Sequence, residues 1–114
     1  MNRNDALSAY GVDLNEVMER FVNDEELYYE CLNTFIDDPS FDGLHNALLE
    51  KEYEAAFHHA HTLKGVAGNL GLSPLLTAVS GIAEPLRKHD YSNLEQQYDT
   101  VRIERQKLQQ ILAG

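Results

Sequence analysis

The chain has 114 residues, with nineteen acidic against nine basic side chains and a formal net charge of -10. That length supports one domain, residues 1–114, with a core that needs no disulfide or metal staple. The acidic excess argues against nucleic acid and anionic membrane surfaces, which need clustered Lys and Arg, and points to protein partners.

The apolar spacing is helical along the whole chain, and no alternating β-rich run interrupts it. Asp13-Leu-Asn-Glu16 reads as an N-cap with a Glu reaching back, followed by Val17, Met18, Phe21 and Val22 at helical spacing. Asp24 caps a second segment whose stripe is Leu27, Tyr28, Cys31, Leu32, Phe35 and Ile36. Asp37-Asp-Pro-Ser40 is a break, because Pro39 disfavours helix at the residue before it. A third segment starts near Ser40 and carries Phe41, Leu44, Leu48 and Leu49.

A fourth segment runs from about Glu52 to Leu70, with Gly71 as its left-handed cap. Ser73-Pro74 supplies an N-cap and a first-turn proline for a fifth, which reaches about Lys88 and carries Leu75, Ala78, Val79, Ile82 and Leu86. Pro85 crowds the carbonyl of Gly81, so a kink is expected there. Ser92 is read as the cap of a last helix bearing Leu94, Tyr98, Val101, Leu108 and Ile111. Short connections and the absence of repeats or long linkers give an all-α bundle of four or five antiparallel helices.

Cys31 is the lone cysteine and has no internal disulfide partner, which fits a reducing compartment. The first residues hold no apolar signal core and no run is long enough to span a bilayer, so the expected location is cytoplasmic.

The chemistry lies in the fourth segment. At about 100° per residue, Ala56, Ala60, Leu63, Ala67 and Leu70 cluster within roughly 40° of one direction, a core stripe. His61, Lys64, Gly65 and Gly68 fall on the opposite face, with Phe57 one turn before His61. Each glycine costs roughly 0.5–1 kcal/mol against Ala inside a helix, which makes sense if something must approach the backbone beside His61. Lys64 reaches an anion held at the imidazole. An exposed nucleophilic imidazole, a neighbouring cation and a cleared floor suit transfer of a phosphoryl group. Phe57 is either a core edge or an apolar rim for a partner. His58 and His59 read as solvated or flank-packed, and Arg87 and Lys88 as complements to their helix's C-terminal dipole. Glu54, His58 and His61 share a face and offer a metal-binding alternative. Di-metal bundles, however, point such groups inward and use two Glu-x-x-His helices, and this chain has no such pair.

The segment His61-Thr-Leu-Lys64-Gly65-Val-Ala-Gly68-Asn-Leu-Gly71 resembles the signature of histidine-containing phosphotransfer (HPt) domains of two-component phosphorelays: His, two residues, Lys-Gly, a small residue and Leu-Gly. Phe21-Val-Asn-Asp24, Leu27-Tyr-Tyr and Phe35 resemble an upstream lead-in, so that the likeness runs from about Gly11 to Leu108. It implies an up-and-down antiparallel four-helix bundle with an additional N-terminal helix. His61 would take a phosphoryl group from the aspartyl phosphate of one receiver domain and pass it to another, assisted by Lys64, with Gly65 and Gly68 giving the receiver access. The docking surface would lie on the His61 helix and on the first core helix, at about Asp13 to Val22.

Partners would be response-regulator receiver domains and a hybrid sensor histidine kinase. The chain would be a monomer without kinase activity, ATP site, cofactor or metal of its own, the divalent ion sitting on the receiver. Many members carry Gln or Glu on the next helix to orient the histidine. Here that position is Ala83, and the adjacent Glu84 would serve if the Pro85 kink turned it inward. The departure at Ala83 keeps open an adaptor that docks receivers without transferring phosphate. Met1 and the lack of terminal linkers are read as a free-standing protein.

Overall fold

A computed structural model describes residues 2–114, which form seven α-helices joined by short turns. They are α1 (Arg3–Tyr10), α2 (Leu14–Arg20), α3 (Glu25–Ile36), α4 (Pro39–Leu49), α5 (Tyr53–Asn69), α6 (Ser73–Arg87) and α7 (Leu94–Ala113). Helices α4 to α7 form the up-and-down antiparallel bundle: α5 packs between α4 and α6, and α7 closes against α6 and α4. The earlier helices cover this bundle, α1 and α3 lying on α7 and α2 beside α1.

Local chemistry accounts for the helix starts. Asp13 accepts from the Glu16 N–H, Asp24 from the Leu27 N–H and Asp38 from the Ser40 N–H, each closing an otherwise orphaned donor. Pro39 thus opens α4 instead of merely ending α3. Two expected caps are corrected. Leu72 occupies the cap position of α6, so Ser73 is already helical. Asn93 occupies that of α7, because the Ser92 hydroxyl and N–H both turn back to the Asp90 carboxylate. The first helix, α1, was not evident from apolar spacing. It is capped by Asn2 and held by one fully buried side chain, Leu7.

The core stripe of α5 is buried as expected: Ala56, Ala60, Leu63, Ala67 and Leu70. So are Leu75, Ala78, Val79, Ile82 and Leu86 of α6. Three apolar residues that share the helical spacing of these segments face water: Val22, Leu27 and Leu49. Helix α2 stops at Arg20, and the chain passes through left-handed backbone at Val22 and Asn23, which turns Val22 outward. Helix α6 runs through Pro85, which cannot donate to the Gly81 carbonyl, and ends two residues later, so little helix remains beyond the proline to be turned. Among the described residues, no helix is long and apolar enough to cross a membrane.

Candidate functional site

Helix α5 ends in a Schellman motif. Gly71 adopts φ +71°, its N–H bonds to the Gly68 carbonyl, and the Leu72 N–H bonds to the Ala67 carbonyl. Glycine is demanded there twice, because a Cβ would also lie 2.5 Å from a methyl of Val17. This fixed end sets the rotation of α5 about its axis, and with the core stripe buried the opposite face looks outward.

On that face His61, Lys64 and Gly65 are exposed and Gly68 is half-buried. The Phe57 ring lies 5.9 Å from the His61 ring at 25° between planes. Phe57 is half-buried and packed on the core, so it is at once a core edge and a wall beside the imidazole. A Cβ on Gly65 would meet nothing within 4 Å, and one on Gly68 only the Leu76 methyls at 3.8 and 3.9 Å. Neither glycine is required by the chain's own packing. Lys64 forms no ion pair among the described residues, which leaves its ammonium available to an incoming anion. His61, Lys64, Gly65 and Gly68 line an open depression completed by Arg20, Asn69 and Leu76.

The flanking candidates separate clearly. The His59 ring fills the space left by Gly43 on α4 and is half-buried, a packing role. His58 is exposed, its ring steeply inclined to that of Phe57 at 5.9 Å. Among the described residues, no three His, Cys, Asp or Glu are placed to hold a metal ion, and Glu54, His58 and His61 form no such group. Ala83 is buried at 5 % exposure and offers the imidazole no polar group.

Glu84 does not turn inward. Its carboxylate accepts from Arg87 and pairs with Lys88 on the solvent side of α6. The Arg87 hydrogen bond holds the Glu84 carboxyl below the usual glutamate range, with smaller contributions from the charges of Arg87, Lys88 and Lys64. Arg87 and Lys88 are therefore occupied by an acidic neighbour as well as by the helix end.

Arg20 is the residue that sequence spacing does not bring to the site. From its position only the i, i+4 pair with Glu16 is legible, and that pair is present at 2.9 Å. Its contact with the Gly68 and Asn69 carbonyls spans 48 and 49 residues of sequence, so no local pattern announces it.

A search of curated proteins and of solved structures returned no match. A family model described as Hpt domain matches residues 33–113, which takes in the end of α3 and the whole four-helix bundle. The lead-in residues Phe21 to Tyr29 and the α2 helix lie outside the match, whereas the entire His61 face lies within it. Because the match covers well over half of the chain and all of α5, the chain belongs to the Hpt domain family of phosphorelay phosphotransfer domains.

Proposed function

We propose that this bundle is a relay intermediate that accepts a phosphoryl group on His61 from a receiver-domain aspartate and hands it to a second receiver. A single observation carries the reading. An exposed imidazole stands beside a free ammonium, over two helical glycines that nothing in the fold requires. Their cost of roughly 0.5–1 kcal/mol each needs a cause outside the chain, and a docked partner supplies one.

An unprotonated ring nitrogen of His61 attacks the phosphorus of the aspartyl phosphate. The N–P bond forms as the P–O bond to the aspartate breaks, and the aspartate leaves as a carboxylate. The other ring nitrogen keeps its proton. Lys64, one turn away, faces the charge spread over the three peripheral oxygens, so catalysis is chiefly positioning and electrostatic stabilisation. Phe57 walls one side of the ring and Gly65 leaves room for the partner's backbone. The onward step is the reverse reaction with a different aspartate. A domain of this kind acts as an intermediate and needs no ATP site. The unpaired Cys31 supports a reducing compartment, the cytoplasm.

The test uses receiver domains from the same cell, charged with labelled phosphate. Label should move to this protein as an acid-labile, base-stable phosphoramidate and be lost in His61→Gln. Label retained in His61→Gln, or found on His58, would refute the site. One observation favours a second reading, a receiver-binding adaptor: Ala83 leaves the His61 ring without a hydrogen-bonding partner from α6. Tight receiver binding with no labelled His61 would select that reading.

A further inference from the structure

The last carbonyls of α5 have a complete set of partners. Val66 and Ala67 carbonyls accept from the Leu70 and Leu72 N–H groups, and Gly68 accepts from Gly71. Beyond that point the donors come from other helices. Arg20 Nη1 donates to the Asn69 carbonyl and, at 3.3 Å, to that of Gly68, while the Tyr28 hydroxyl donates to Leu70 at 2.7 Å. Arg20 thus places its charge on the negative end of the site helix and ties α2 to it. Arg105 uses the same device on the Ile36 carbonyl of α3, but its guanidinium lies over the Phe41 ring, away from His61. Of these two capping arginines, Arg20 is the one that borders the His61 depression.

A guanidinium carries five N–H donors. Arg20 engages three, two on the α5 carbonyls and one on Glu16. Among the described residues the Nε–H and one Nη2–H have no partner, and the side chain is 35 % exposed. Gly68 lies two turns beyond His61, about 10 Å along the helix axis. That is too far for Arg20 to reach a phosphoryl group on the imidazole, yet within the footprint of any domain that covers both. In a chain of net charge -10, this depression is lined by two cations, Lys64 and the Glu16-paired Arg20, and by no carboxylate among the described residues.

We infer that Arg20 is a positioning residue for the docked receiver, whose two unused N–H groups take a carboxylate on the rim of the incoming domain while its other three hold α2 against the end of α5. The inference rests on the proposed phosphotransfer reading and extends it to a residue outside the span matched by the family model. Its effect belongs to association, not to the chemical step at His61.

The test measures label transfer at increasing concentrations of the fastest receiver domain of the same cell, charged with acetyl phosphate. Wild type, Arg20→Gln and Arg20→Lys are compared well below their thermal midpoints. Losing a charge-assisted hydrogen bond should raise the half-saturating receiver concentration of Arg20→Gln roughly ten-fold or more, with the saturating rate changed less than about two-fold. Arg20→Lys should recover part of the loss. A purely structural cap would lower the midpoint of Arg20→Gln and leave half-saturation in place, and that result overturns the inference. So does a fall in the saturating rate alone. If wild type transfers normally and Arg20→Gln matches it, only the Arg20 assignment fails. If wild type takes no label from any receiver, the proposed function fails with it.

Discussion

Two pairs of glycines serve opposite purposes in this molecule. Gly43 and Gly71 exist because the chain's own atoms occupy the space a side chain would need: the His59 ring at one and a Val17 methyl at the other. Gly65 and Gly68 lie on the outer face of α5, where a methyl group would meet open space or ordinary contact. All four weaken the unfolded-to-folded balance by freeing backbone entropy. Only the first pair returns that loss through packing or backbone geometry within the chain. The second pair is explained from outside, by a partner that must come close to the helix beside His61.

The comparison can be broken most easily at Gly71. Gly71→Ala forces a Cβ into left-handed backbone, at about 1–2 kcal/mol, and into Val17, at about 1–3 kcal/mol for overpacking. The thermal midpoint should fall on the order of 10 °C. A loss of less than about 2 °C in a calorimetric scan would mean that the α5–α6 turn is not held by the Schellman geometry. Gly43→Ala should be milder, because the atoms in its way belong to the end of a side chain. Its Cβ would sit 2.5–2.8 Å from three atoms of the His59 imidazole, which can rotate away. A net loss of about 1 kcal/mol is expected by denaturant unfolding. In a His59→Ala background the same change should become stabilising by roughly 0.5–1 kcal/mol, the ordinary Gly-to-Ala gain in a helix. If the sign does not reverse, the His59–Gly43 packing is not the reason for the glycine.

What could be read from the sequence follows the range of the interactions concerned. Period and caps depend on residues three or four apart, so the bundle helices, the core stripe of α5 and the outward direction of His61, Lys64, Gly65 and Gly68 were legible. Gly71 was legible for the same reason, since its cap is local. Apolar spacing alone does not mark Val22, Leu27 and Leu49 as exposed: Val22 lies beyond the end of α2, Leu27 in the first turn of α3 and Leu49 at the end of α4. Helix α1 shows no apolar stripe to read, because Leu7 is its one buried residue among those described. Arg20 could not be found by pattern at all, since its partners lie about fifty residues away in sequence. Glu84 failed as an orienting group because its local partners Arg87 and Lys88, three and four residues on, take the carboxylate first.

The smallest stability change separates the two pairs most sharply. Gly65→Ala adds a methyl to an exposed helical position with nothing within 4 Å, so the fold should gain roughly 0.5–1 kcal/mol. The same methyl stands one turn from His61 on the floor that a receiver must approach. A displacement of about 1 Å at the reacting atoms is enough to cost on the order of a hundred-fold in rate, so transfer from a charged receiver should fall at least ten-fold. Gly68→Ala should also stabilise, with a smaller loss of transfer, because it is a turn further from the imidazole and its Cβ would rest beside Leu76. The diagnostic is the opposed sign within one variant: a higher unfolding midpoint together with a slower label transfer. A residue kept for the fold cannot give that result, because improving the fold would not harm it. If Gly65→Ala is more stable and transfers as fast as wild type, the glycine is an accident of a solvated surface, and the cleared floor beside His61 loses its meaning.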